Sequence, residues 1–134
     1  MRVCVLDASA MLAFLSNEAG ADQMENLLTD PDIECYAHSV NLIEVFYDTI
    51  RESNNEKARS AIAALRSLGI VERSDMDEDF WQNVARLKSR GRISLADCFG
   101  IVLAQKLGGE IVTTDHHEFD PLVPDNIVPI LFIR

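Results

Sequence analysis

Residues 2–15 read RVCVLDASAMLAFL, and the change of pattern inside this stretch decides the fold. RVCVL, Arg2–Leu6, is a short apolar run with β-branched members, the signature of a buried strand. Asp7 stops the run. Ser9 then stands where a helix N-cap belongs, ahead of apolar residues continuing through Leu15. A strand that passes through one acid directly into a helix is the opening of a crossover unit.

The same alternation continues along the chain. A second helix is expected over Ala19–Leu28, followed by the turn Asp30-Pro31-Asp32 and a strand over Ile33–Ala37. Ser39 is placed to cap a helix running to Glu52, and Asn54 or Asn55 to cap another ending at Gly69. Ile70–Glu72 reads as a weak strand, and Asp77–Ser89 as an amphipathic helix closed by Arg90 and Gly91. Ser94 opens a strongly apolar helix ending at Leu107-Gly108-Gly109. Glu110–Thr113 and Ile127–Ile133 read as the last strands, separated by a stretch, His116–Asn126, without clear periodicity. Strands alternating with helices imply an α/β fold, a central and mostly parallel sheet with helices on both faces. In such sheets the functional crevice lies beyond the carboxyl ends of the strands.

A chain of 134 residues fits one domain, residues 1–134, and buries enough apolar surface to need no staple. The three cysteines, Cys4, Cys35 and Cys98, are odd in number and form no CxxC pair, which argues against a disulfide framework. Each lies in an apolar run and suits a reducing compartment. Asp7 interrupts any secretory h-region, and no segment approaches the ~20 apolar residues of a membrane span. A soluble, cytoplasmic protein is expected, with no membrane partner. The formal net charge of −10 counts against generic nucleic-acid binding, which normally shows a basic footprint. The acids must be solvated, or neutralised by cations or a basic partner.

Asp7 and Asp115 each follow a strand and so land on the carboxyl edge of the sheet. Glu44 lies in the second turn of the helix after strand two, and Asp97 in the first turn of the helix opened by Ser94. Four carboxylates brought together repel, at about 4 kcal/mol for each pair ~4 Å apart in an effective dielectric of ~20. Protons or cations must occupy such a cluster, and hard oxygen ligands select Mg²⁺ or Mn²⁺. Ions held there can activate water and orient a phosphodiester.

Each acid also has a plainer reading. Asp7 and Asp115 are turn or loop acids. Glu44, with Asn41, Asp48 and Arg51, forms a polar stripe at helical spacing that suits a solvated face. Ser94-x-x-Asp97 has the form of a capping box, although Asp97 shares its stripe with Gly100, Ile101 and Ala104, where a carboxylate needs a partner. His116, His117 and Glu118 invite a zinc reading, but their spacing matches no HExxH pattern.

Taken in order, VLDASAMLAFL, SVNLIEVFYDTI, ISLADCFGIVLAQKLGGEIVTTD and HHEFDPL resemble PIN-domain proteins, specifically the VapC-type toxin ribonucleases of type II toxin–antitoxin systems. The resemblance spans Val5 to Leu122. It implies a three-layer α/β/α fold with a helical hairpin, Ser39–Leu68, on one side. It implies a hydrolase cleaving single-stranded RNA with Mg²⁺ or Mn²⁺, with Asp7, Glu44, Asp97 and Asp115 as catalytic and metal-binding acids. Glu118 is a further candidate for the second metal position. Ser9 and Thr114 resemble the family's supporting hydroxyl residues, and Cys98 replaces the Ala common after the third acid.

The resemblance also implies a homodimer held inactive by a small antitoxin that fills the cleft or the hairpin groove. For RNA contacts the best run is Arg86-Leu-Lys88-Ser-Arg90-Gly-Arg92, with Lys88, Arg90 and Arg92 as candidates. Lys88 and Arg90 equally suit the negative end of a helix. A haloacid-dehalogenase-like phosphatase would need a second Asp where this chain has Ser9. A non-catalytic PIN module acting as a scaffold is the remaining alternative.

Overall fold

The structure, a computed structural model, describes residues 1–134. Five strands, β1 (Arg2–Leu6), β2 (Ile33–His38), β3 (Val71–Arg73), β4 (Glu110–Thr113) and β5 (Ile130–Phe132), form one sheet in the order β3-β2-β1-β4-β5. All neighbouring strands run parallel. Seven helices flank it: α1 (Ala8–Leu15), α2 (Ala21–Thr29), α3 (Ser39–Glu52), α4 (Asn55–Ser67), α5 (Glu78–Ser89), α6 (Leu95–Leu107) and α7 (His116–Phe119).

Period-two alternation along β1 splits the interior into two cores. Cys4 and Leu6 point into one, with Met11, Met24, Val45 and Leu65 from α1 to α4. Val5 points into the other, with Phe80, Val84, Ile101, Leu103 and Phe119 from α5, α6 and α7. Helices on both faces explain why the central strands β1 and β4 carry continuous buried runs rather than alternating with charge. The expected α/β/α layering is therefore present, and the sheet is wholly parallel.

The strand order reverses at β1. The chain moves outward through β2 and β3, then α5 and α6 carry it back to β4 on the other side of β1. The crevice at such a switch point is where open α/β sheets place their ligands. Here it falls between the ends of β1 and β4, with the Asp7 amide donating to the Val112 carbonyl at 3.1 Å.

Some boundaries differ from the sequence expectations. Strand five covers only Ile130–Phe132, not Ile127–Ile133. Pro129 has no N–H for the ladder, although its carbonyl accepts from the Ile111 amide at 3.0 Å. The unpatterned stretch after Asp115 contains α7 and a single 3₁₀ turn over Asp120–Leu122, both too short to show a period. The second helix starts at Ala21, because Gly20 takes the left-handed conformation at its N-cap.

Candidate metal centre

Asp7 enters the site as the N-cap of α1. Its Oδ1 accepts from the Ala10 amide at 2.9 Å and from the Ser9 hydroxyl at 2.7 Å. Ser9, expected to be the cap, sits inside the first turn instead, because α1 begins at Ala8, one residue after Asp7. His38 likewise displaces Ser39 as the cap of α3, its Nδ1 accepting from the Val40 amide at 3.1 Å. In both cases the capping position follows the backbone's exit from the strand.

Two hydroxyls join the end of β1 to the end of β4. Ser9 Oγ accepts from the Thr114 amide at 3.0 Å and lies 3.2 Å from Thr113 Oγ1. Thr113 Oγ1 accepts from the Asp115 amide at 2.9 Å. Asp115 in turn caps α7, its Oδ1 accepting from the Glu118 amide at 3.0 Å. The short helix thus holds Glu118 against Asp115.

Asp97 comes from the other face of the sheet. Ser94 Oγ accepts from the Asp97 amide at 3.1 Å and caps the helix, and the same hydroxyl favours the charged form of the Asp97 carboxylate. Asp97 is 8% exposed, and carboxylate oxygens of Asp97, Asp115 and Glu118 lie within 4.8 Å of one another. Glu44 is half-buried on α3 rather than on a solvated face. Its helix is tied to that of Asp97 by Asn41, which is fully buried and donates to the Ala96 carbonyl at 3.1 Å.

These acids perturb one another. Burial pushes Asp7, 1% exposed, up to about 6, against the Thr113 hydroxyl, the Ala10 amide and the Ser9 hydroxyl. Burial, with the charge of Asp7 beside it, pushes Asp97 up to about 7. Glu44 is raised by burial and by the charges of Asp7, Asp48, Asp115 and Glu118. No lysine or arginine forms an ion pair with Asp7, Glu44, Asp97, Asp115 or Glu118. The cluster is all-oxygen, electronegative and uncompensated, a donor set that fits a hard divalent cation.

The histidines fall outside the cluster of converging ligand atoms. His116 lies 2.8 Å from Asp120 Oδ1 and 2.7 Å from the Arg134 carbonyl, and stacks on Phe132. Within the basic run, Arg90 pairs with Asp125 at 3.1 Å and Lys88 reaches the Gly91 carbonyl at 3.5 Å. Arg92 is exposed and makes neither an ion pair nor a hydrogen bond.

Three residues of this neighbourhood escaped the sequence reading. Thr113 carried a signal, as the last residue of a strand preceding Thr114 and Asp115. Asn41 belongs by spacing to the polar stripe that suits a solvated face. Arg134, whose Nη2 donates to Thr114 Oγ1 at 3.3 Å, carried none, since its place depends on β5 lying beside β4.

A parallel α/β sheet with carboxylates gathered at its switch point defines a class of proteins, and a family model narrows it. The model of the PIN domain matches residues 4–121, and the chain belongs to the PIN-domain family. Its structure is similar to a chain of the DNA-bound VapBC from Salmonella typhimurium, with a TM-score of 0.74, 15% identity and 100% of each chain covered. A chain of VapBC2 from Rickettsia felis, bound to a promoter DNA fragment, gives a TM-score of 0.71 at 15% identity, with 96% of each chain covered. VapC20 from Mycobacterium tuberculosis, a sarcin-ricin loop cleaving toxin, gives 0.68 at 14% identity, with 88% of this chain and 94% of that one covered. No curated protein gives a significant sequence match.

Proposed function

We propose that this chain, as one PIN domain over residues 1–134, is a Mg²⁺- or Mn²⁺-dependent endoribonuclease that hydrolyses single-stranded RNA. The observation that carries this reading is the gathering of Asp7, Glu44, Asp97, Asp115 and Glu118 with no basic side chain paired to any of them. Asp97, Asp115 and Glu118 would hold the ion at the sheet edge, with Asp7 and Glu44 completing the anionic wall. A divalent cation bound there supplies water activation and neutralises phosphate charge.

The chain's own groups supply the rest. Ser9, held between Asp7 and the Thr114 amide, orients the Asp7 carboxylate. Thr114 is buried beside it and accepts from Arg134. Of the basic run, Arg92 is the cation left free to meet a phosphate, while Lys88 and Arg90 contribute field from the rim.

Similarity to VapBC chains and to a sarcin-ricin loop cleaving VapC supports a biological role as the toxin of a toxin–antitoxin pair. In this role the chain is a cytoplasmic homodimer restrained by a small antitoxin, to which the acidic surface offers a match for arginine or lysine. The test compares Mn²⁺-dependent cleavage of single-stranded RNA by the intact chain and by Asp7→Asn, which keeps a good helix cap. Cleavage by the first and not the second is expected. Absence of cleavage by both favours the scaffold alternative.

A further inference from the structure

A cleft of about 600 Å³ opens beside the acids, between the α5–α6 connection and α7 with its 3₁₀ turn. Leu87, Ile93 and Leu122 supply the apolar part of the wall, Arg90, Arg92, His117 and Asp125 the polar part, and Glu118 belongs to both the cleft and the carboxylate cluster. The volume is that of a small-molecule site, and the lining has more polar residues than apolar ones.

We propose that this cleft is a nucleotide subsite, taking one unstacked base of the RNA strand next to the scissile phosphate. The proposal rests on the ribonuclease reading and adds a position to it. A phosphodiester drawn to a cation on these carboxylates would leave its neighbouring nucleotide at the wall that Glu118 shares with the cleft. The His117 ring offers a stacking surface to the base, and the polar groups of the cleft, with Leu122, meet its edges. Arg90 is already held by Asp125, whereas Arg92 is unpaired and takes the flanking phosphate. Only a base free of its duplex partner can enter, so the cleft selects single-stranded substrate.

The test measures fluorescence anisotropy of a labelled single-stranded hexaribonucleotide with Mn²⁺, in an Asp7→Asn background that blocks cleavage. His117 and Arg92 are exposed, and their replacements should leave the fold intact by circular dichroism. His117→Ala should weaken binding roughly tenfold, and His117→Phe should restore it, because stacking needs only a ring face. Arg92→Ala should lower the slope of log affinity against log salt by about 0.7. The hexamer annealed to its complement should bind no better to the His117 protein than to His117→Ala.

If the intact chain cleaves RNA but His117→Ala binds like its parent, the subsite is overturned and the ribonuclease stands. Equal losses in His117→Ala and His117→Phe overturn stacking, and with it the subsite. If the intact chain neither cleaves nor binds the strand, both readings fall.

Discussion

The Asn41 side-chain amide and the Ala96 carbonyl, 3.1 Å apart, join the helix of Glu44 to the helix of Asp97. Asn41 Oδ1 is buried without a partner, so the side chain is held by this one bond and by packing. Asn41→Leu removes the bond and also the unpaired oxygen, and leaves stability within about 1 kcal/mol of the parent. Because the spacing of Glu44 and Asp97 is then set by packing alone, Mn²⁺ affinity should fall about tenfold, as for other groups that orient ligands. Denaturant unfolding of the variant checks the first expectation and a calorimetric Mn²⁺ titration the second.

The carboxylates predict how the cation-free protein responds to pH. Asp7 at about 6 and Asp97 at about 7 both lie above the ordinary carboxylate value, so the native state binds more protons than the unfolded chain between about pH 4 and 7. Their contribution therefore favours the fold at low pH and is lost as pH rises through 6 and 7. Asp97→Asn should stabilise the cation-free protein at pH 8 by on the order of 1–3 kcal/mol, and by much less at pH 5. Thermal unfolding in EDTA at the two pH values gives the comparison.

Ser9→Ala strips Asp7 of a donor and leaves the Thr114 amide without its acceptor. A loss of about 1–3 kcal/mol in stability is expected from the unpaired buried amide. With one hydrogen bond fewer to its charged form, Asp7 should hold its proton to higher pH. The acid limb of the cleavage–pH profile should move upward accordingly, and Ser9→Thr should restore it.

Gly109 is required by a close approach. A Cβ there would sit 2.6 Å from the Val3 carbonyl oxygen, so α6 can return to β4 only past a residue with no side chain. Gly109→Ala should cost about 1–3 kcal/mol, measured by denaturant unfolding, since backbone must shift to admit the methyl group. Gly69→Ala tests a different constraint, because its φ of +86° strains the alanine although nothing lies within 4 Å.

The placing of Asp7 and Asp115 at one edge was legible because parallel strands end on one edge of the sheet, whatever follows them. The layering was legible for the same reason, since apolar strands alternating with helices leave few other packings. Glu44 was not separable from a solvated stripe by spacing alone. A helix period gives the angle between residues but not which side faces a neighbour, and here that side, with Asn41, is turned to α6. Asp97 was ambiguous because capping and site chemistry demand an acid-compatible position in the same first turn. In the structure Ser94 Oγ accepts from the Asp97 amide, as a capping box also requires, while the Asp97 carboxylate lies within 4.8 Å of those of Asp115 and Glu118. The caps of α1 and α3 fell on Asp7 and His38 because capping is decided by the extended backbone at the strand exit, and several side chains can then accept the bond. Helix α7, with four residues, is shorter than the pattern that would announce it.

The most direct measurement is a calorimetric Mn²⁺ titration of the intact chain beside Asp97→Asn at pH 7.5. Saturable binding by the parent, with release of protons and at least a tenfold loss in the variant, is the predicted result. Failure of the parent to bind, or equal binding by both, would contradict the claim that these buried acids are gathered to hold a divalent cation.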